Sequence, residues 1–279
     1  MNEEHVVREP AVAGMFYPEH PSDLRKTVES MLVERRIPPD EVPTGLIVPH
    51  AGYMYSGPTS GRAYSAVRSQ RFDTVVVVAP SHREAFRGVS VYSGDAYATP
   101  LGVVPVDAVH RQQLTQNLPL VHQSLAGHRD EHALEVQLPF LQVVLDDFSL
   151  LPIVMGEQTR EVMVSLGNAL GKIFEGLSVL MIASTDLSHY YPADTAEMID
   201  RVAIGDIRDF APERMIDHLE HQTAEACGGG PAVAVMLALR HLGAVRMEIV
   251  HHCTSGDVTG DRRSVVGYCS AVAWKKRAA

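Results

Sequence analysis

The chain has 279 residues, 46% of them hydrophobic and 21% charged, a balance that excludes a disordered protein. A formal net charge of −10 argues against a nucleic-acid or anionic-membrane surface, since both ask for a basic face. No apolar run nears the roughly 18–20 residues of a bilayer span, and three cysteines with an acidic start, MNEEHVVREP, suit neither a disulfide framework nor a signal peptide, so the cytoplasm is the expected compartment.

In chain order, a helix is expected over 21–36, with Ser22 able to cap it. Pro38-Pro39 to Gly45 has loop composition but is too short for a linker. A strand at 45–48 stops at Pro49 and delivers His50. Gly57-Pro58-Thr59 opens a helix to about 70, and the valine run at 74–79 is a second strand, stopping at Pro80 and delivering His82. A more exposed, alternating strand follows at 89–93, then helices near 107–117 and 131–146. A strand at 150–154 and a helix at 158–174 precede the strand 178–184, which leads to Asp186 and His189. Helices near 194–208, 212–224 and 229–242 come next. Two closing strands, 246–253 and 264–273, flank a turn at 255–261, where Asp257 and Asp261 suit backbone chemistry rather than catalysis. Lys275-Lys276-Arg277, the only basic cluster, reads as a solvated tail.

Strands alternating with helices, with valine runs among them, imply a largely parallel sheet covered on both faces. The segment from His50 to His82 fits one βαβ unit. No repeat interrupts this pattern, so a single three-layer αβα domain over 1–279 is expected.

In an open α/β sheet, ligands bind in the crevice at the carboxyl ends of the strands. Three strand exits carrying His50, His82 and the Asp186-x-x-His189 pair therefore point to one site. Two imidazoles suit zinc, iron, copper or nickel alike and need a third donor. Cys227, in Glu225-Ala226-Cys227-Gly228-Gly229-Gly230-Pro231 just before a helix, is the strongest one, because a helix N-terminus favours a thiolate. Cys253 and Cys269 lie in the closing strands and read as small apolar side chains. Asp186 could orient His189, deprotonate it or join the ion, and His189 could act as general acid/base. The alternatives are structural: helix caps for the histidines and for Asp186, a solvent-facing His189, and a buried small thiol for Cys227. In the ionisable stretch Gly127 to Glu135, a carboxylate that holds a metal-bound histidine is favoured over a ligand.

Seven motifs in order carry a resemblance: AVAGMFYP, VPHAGYMYSG, APSH, DEHALEVQLPFL, STDLSHY, ACGGGP and SGDVTGDRRSVVGY. Together they resemble the Memo family, called in prokaryotes AmmeMemoRadiSam system protein B. The resemblance implies a fold like that of the class III extradiol dioxygenases. It puts the metal site on His50, His82 and Cys227, with Asp186 and His189 lining the pocket and His189 in the acid/base position. Tyr55 and Phe16 match aromatic positions linked to peptide binding in animal members. The dioxygenases use a carboxylate where this chain has Cys227, and a thiolate shifts preference toward zinc, copper(I) or thiolate-ligated iron(II).

Three functions follow as expectations. The first is a metal protein, with Fe(II) favoured and Cu or Zn as alternatives, performing redox or oxygenase chemistry. The second is a non-enzymatic module whose cleft binds a peptide or a partner protein, in a pathway with a radical SAM protein and an AMMECR-type protein. The third is a zinc hydrolase using Asp186 or His189 as base.

Overall fold

The computed structural model describes residues 6–277, so the first five residues of the acidic start lie outside the described residues. β-Branched and aliphatic runs form the centre: β2 (Glu41–Val48), β3 (Thr74–Pro80), β8 (Ser149–Met155) and β9 (Val179–Ser184). These four are parallel in the order β2-β9-β3-β8. All of β3 and β9 is buried, as a sheet covered on both faces requires. The flanks are antiparallel. β12 (Val265–Lys276) runs against β2, carries β11 (Ala244–Thr254) on its far edge, and meets the short, bulged β10 (His189–Tyr191) at Val265 and Val266. On the other side β4 (Val89–Tyr92) runs against β8 and pairs in parallel with β7 (Val121–Ser124). The expected parallel sheet is thus the centre of a larger mixed one. A separate small sheet joins β1 (Val7–Arg8), β5 (Ala96–Thr99) and β6 (Gly102–Pro105).

Strand alternation sends neighbouring side chains into two cores. Leu46, Val48, Val75 and Val77 face the layer holding α1 (Pro21–Met31), α2 (Tyr53–Tyr64), α4 (His132–Glu135) and α5 (Leu138–Val144). Ile47, Val76 and Met181 face the opposite layer of α3 (Ala108–Asn117), α6 (Arg160–Ile173), α7 (Ala193–Arg208), α8 (Pro212–Glu220) and α9 (Gly229–His241). Among the described residues no helix is long and apolar enough to cross a membrane.

Several elements differ from the sequence reading for local reasons. α1 starts at Pro21, whose fixed φ suits the first helical position, and Ser22 bonds the His20 ring instead of capping. It stops at Met31 because Leu32 turns extended and the Val33 N–H goes to Ser65 Oγ. β2 begins four residues early, at Glu41, since β12 supplies partners for 41–43. α2 begins at Tyr53 and keeps Pro58 inside; the carbonyl four residues before it belongs to Met54, an exposed residue that water can reach. The single helix expected over 131–146 splits, because Pro139 must sit in a first turn, that of α5. β4 is buried throughout rather than exposed, because Val89 and Val91 pack into one core and Tyr92 into the other, with β7 and β8 pairing its edges. The 255–261 turn holds α10 (Ser255–Thr259), closed by a Thr254–Asp257 capping box. The basic tail is not free: Lys275 and Lys276 belong to β12, and Lys276 pairs with Asp40 and Glu41.

One buried group makes folding acid-sensitive. His128 is 1% exposed, with its Nδ1 2.6 Å from the Tyr97 hydroxyl. Burial, and then the Arg8 guanidinium, push its ring down to about 3, partly opposed by the Ser90 carbonyl. A depressed folded pKa contributes stability above the ordinary value near 6.5 and loses it as pH falls toward 3. Between pH 7 and 5 this residue alone is expected to cost about 2 kcal/mol. Urea melts at the two pH values should show that slope, and His128→Gln should reduce it. An unchanged slope in the variant would remove His128 from the account.

Candidate metal centre

The carboxyl ends of β2, β9 and β3 lie side by side, so the residues just past them share one crevice. β2 delivers His50, β3 delivers His82 and β9 delivers Asp186. His132, the first residue of α4, completes a group whose ligating atoms with His50 and His82 all lie within 4.8 Å of one another. His50 is buried at the floor, His132 is intermediate, and His82 is exposed at the mouth. Cys227, two residues before α9, places its Sγ 3.1 Å from His50 Nε2.

Hydrogen bonds around the rings decide which nitrogens face the centre. Ser184 Oγ donates its only proton to the Ala133 carbonyl at 2.6 Å and accepts from Gln137 Nε2 at 2.9 Å. It can therefore only accept from His50 Nδ1, 2.9 Å away, which puts the proton on Nδ1 and a lone pair on Nε2. Burial, then the neighbouring His82 and His132, hold the His50 ring well below its usual range, hence neutral. Glu131 does the same for His82: its Oε1 lies 3.1 Å from His82 Nδ1, and its Oε2 takes the His82 backbone N–H at 2.5 Å. His132 Nδ1 lies 3.2 Å from the same Oε1. Burial alone would push Glu131 up, but bonds from the two rings and from the His82 and Ala133 N–H groups outweigh it and keep the carboxylate ionised. A carboxylate behind a histidine ligand fixes its tautomer and raises its basicity.

Asp186 acts as a clip. Its Oδ1 accepts the His50 N–H at 2.8 Å, its own N–H points at Cys227 Sγ at 3.3 Å, and its carbonyl accepts the Cys227 N–H at 3.2 Å. Burial raises its carboxyl to about 6, against the opposing pull of the His50 N–H. The carboxylate paired with His189 is Glu225: Oε1 accepts the His189 N–H at 3.1 Å and lies 3.8 Å from the ring Nδ1. Phe16 stacks at a tilt on His132, ring centroids 4.7 Å apart, and its carbonyl accepts the Tyr53 N–H. Tyr55, half-buried in the first turn of α2, lies near Tyr268.

Two points differ from the sequence reading. The helix end does not activate the thiol: burial and the Asp186 carboxylate push Cys227 well up, so a thiolate there needs a cation beside it. His132 joins the donor group itself, although its stretch reads as supporting chemistry. The adjacency of Glu131 and His132 was the available signal, but α4 had first to be brought under β3. Three imidazoles and a thiol, with Nε2 of His50 set toward the centre and the rings backed by acceptors, fit a mononuclear divalent metal.

Comparison with known proteins agrees with this architecture. A MEMO1 family protein of Methanothermobacter thermautotrophicus is 37% identical over 274 residues, covering 94% of this chain and 99% of its own. A MEMO1 family protein of Thermotoga sp. is also 37% identical, over 277 residues, covering 95% and 99% respectively. The crystal structure of an uncharacterized protein from Escherichia coli K12 shares the fold, with a TM-score of 0.55 at 14% identity, covering 82% of this chain and 99% of that one. Residues 8–272 match the family described as Memo-like protein. On that match, and on relatives nearly coextensive with it, the chain belongs to the Memo family.

Proposed function

We propose that the protein binds one divalent metal ion, iron(II) first and zinc or copper as alternatives, at His50, His82 and Cys227, and that it performs redox chemistry there on a small molecule or peptide. The observation that carries this reading is the convergence of His50, His82 and His132 within 4.8 Å, with Cys227 Sγ 3.1 Å from His50. When bound, such an ion supplies Lewis acidity and, for iron or copper, a one-electron couple. The chain supplies the rest. His82 at the mouth leaves an approach for substrate, while His50, Ser184 and Gln137 hold a rigid floor. His189, 26% exposed at its side chain and backed by Glu225, is placed to take or give a proton at its ring. Phe16 against His132 forms an apolar wall beside the donors. Three free cysteines suit a reducing cytoplasm.

A non-catalytic reading has one observation of its own: Met15, 73% exposed, stands next to Phe16 at this wall, as a peptide-docking rim would. In that case the partners are a peptide, a radical SAM protein or an AMMECR-type protein. Elemental analysis of anaerobically purified protein separates the readings. Wild type should carry about one equivalent of iron, Cys227→Ser should lose it, and His132→Ala, which removes a donor within 4.8 Å of the other two imidazoles, should weaken its binding. Metal-free wild type would sink the proposal, and stoichiometric zinc alone would remove its redox part.

A further inference from the structure

A cavity of about 410 Å³ lies behind His189, between α7, the end of α8 and the segment that leads to Cys227. We infer that it is a binding site for a small organic cation with an aliphatic body, the cation being held by Glu225. The volume falls in the range of small-molecule sites. Its lining is mixed: Ile199, Leu219 and Ala224 give it an apolar side, and Glu225, Tyr191 and Gln222 a polar one.

Glu225 is the only charged group lining the cavity, and its side chain is 39% exposed. It accepts the His189 N–H and holds the Tyr191 hydroxyl proton by a hydrogen bond that raises that group. A carboxylate lining a pocket selects donors, and a cationic donor forms the stronger, charge-assisted bond. The chain's net charge of −10 favours the same sign of ligand. An alkyl chain would lie against Ile199 and Leu219 with its ammonium at Glu225.

Backbone strain marks the same place. Of the four described non-glycine residues with positive φ, Gln222 (55°) lines the cavity and Tyr190 (66°) directly precedes lining residue Tyr191. At Gln222 this is the ordinary end of α8, with the Thr223 N–H on the His218 carbonyl at 2.9 Å; at Tyr190, which ends no helix, left-handed backbone is unfavourable. The bulge between His189 and Tyr191 turns Tyr191 toward the cavity while Tyr190 stays 77% exposed. Ala226, also in the wall, is the residue before Cys227, so the pocket adjoins the proposed metal centre. The inference deepens the proposed function by naming a substrate class, but binding itself does not require the ion.

The test is calorimetric titration with hexylamine, hexanol and hexanoate, on metal-free and iron-treated wild type. Hexylamine should bind at least tenfold more tightly than hexanol, and hexanoate should bind most weakly. Glu225→Gln should erase the amine preference while leaving hexanol unchanged. Ile199→Trp, which fills the cavity from α7, should abolish binding of both, with thermal melts confirming that each variant is folded. Equal binding of amine and alcohol, undiminished amine binding in either variant, or no binding at all would overturn the inference. Amine binding by a protein that takes up no iron would leave it standing while the metal reading fails.

Discussion

Arg8→Met is expected to destabilise the protein by about 3–5 kcal/mol, the largest single effect anticipated away from the centre. Arg8 is 5% exposed and Glu135 is fully buried. The guanidinium pairs with Glu135, and also donates to the His128 carbonyl at 2.6 Å and the Glu131 carbonyl at 2.8 Å. Glu135 in turn accepts the Ala11 N–H at 2.8 Å, the Val12 N–H at 3.1 Å and the Tyr17 hydroxyl at 2.5 Å. Removing the cation leaves a buried carboxylate with no counter-charge and takes a donor from the His128, Glu131 and Glu9 carbonyls. The same network ties residues 8–17 to α4, so Phe16 should lose its seat on His132. Denaturant melts should register the loss, and thermal melts a Tm drop on the order of 5–9 °C. Arg8→Met combined with Glu135→Met should recover part of it, because neither buried charge then lacks a partner. A cost below about 1 kcal/mol for Arg8→Met would show that the pair contributes little net stability.

Glu131→Gln should weaken metal binding by about 10- to 100-fold with the fold retained. The carboxylate is acceptor-only and serves the His82 ring, the His82 N–H and the Ala133 N–H together, with the His132 ring Nδ1 3.2 Å from the same Oε1. An amide cannot serve them all, because one of its ends donates. If that end faces His82, Nδ1 must become the acceptor, the proton moves to Nε2, and the lone pair meant for an ion is lost. If it faces the backbone, two N–H groups oppose each other. Competition with a chelator at fixed pH measures the change, and Glu131→Gln binding within about threefold of wild type would rule out this role.

The two effects sit on different parts of the molecule and were unequally legible in the sequence. Alternation of valine-rich runs with helical segments, and prolines followed by His50 and His82, mark three donor-bearing strand exits by local pattern alone. Seven motifs in order identified the family that the comparisons establish. These are local signals, written in spacing and residue type. Arg8 and Glu135 are 127 positions apart, and nothing local to either announces the pair. His132 read as supporting chemistry because its stretch offers carboxylates suited to backing a metal-bound histidine, and only the fold brings α4, split from α5 at Pro139, to where its ring meets His50 and His82.

Position on the chain is thus what the sequence determined by itself: strand runs, their histidine exits, the Cys227 turn and the family. Tertiary structure decided the rest. It settled the burial of β4, the neutrality of His50, the raised Cys227 thiol, the partnership of His189 with Glu225, and the cavity behind it. The physical reason is one of range. Propensity and periodicity act over a few residues, whereas desolvation and charge pairing depend on whatever distant segments the fold packs alongside.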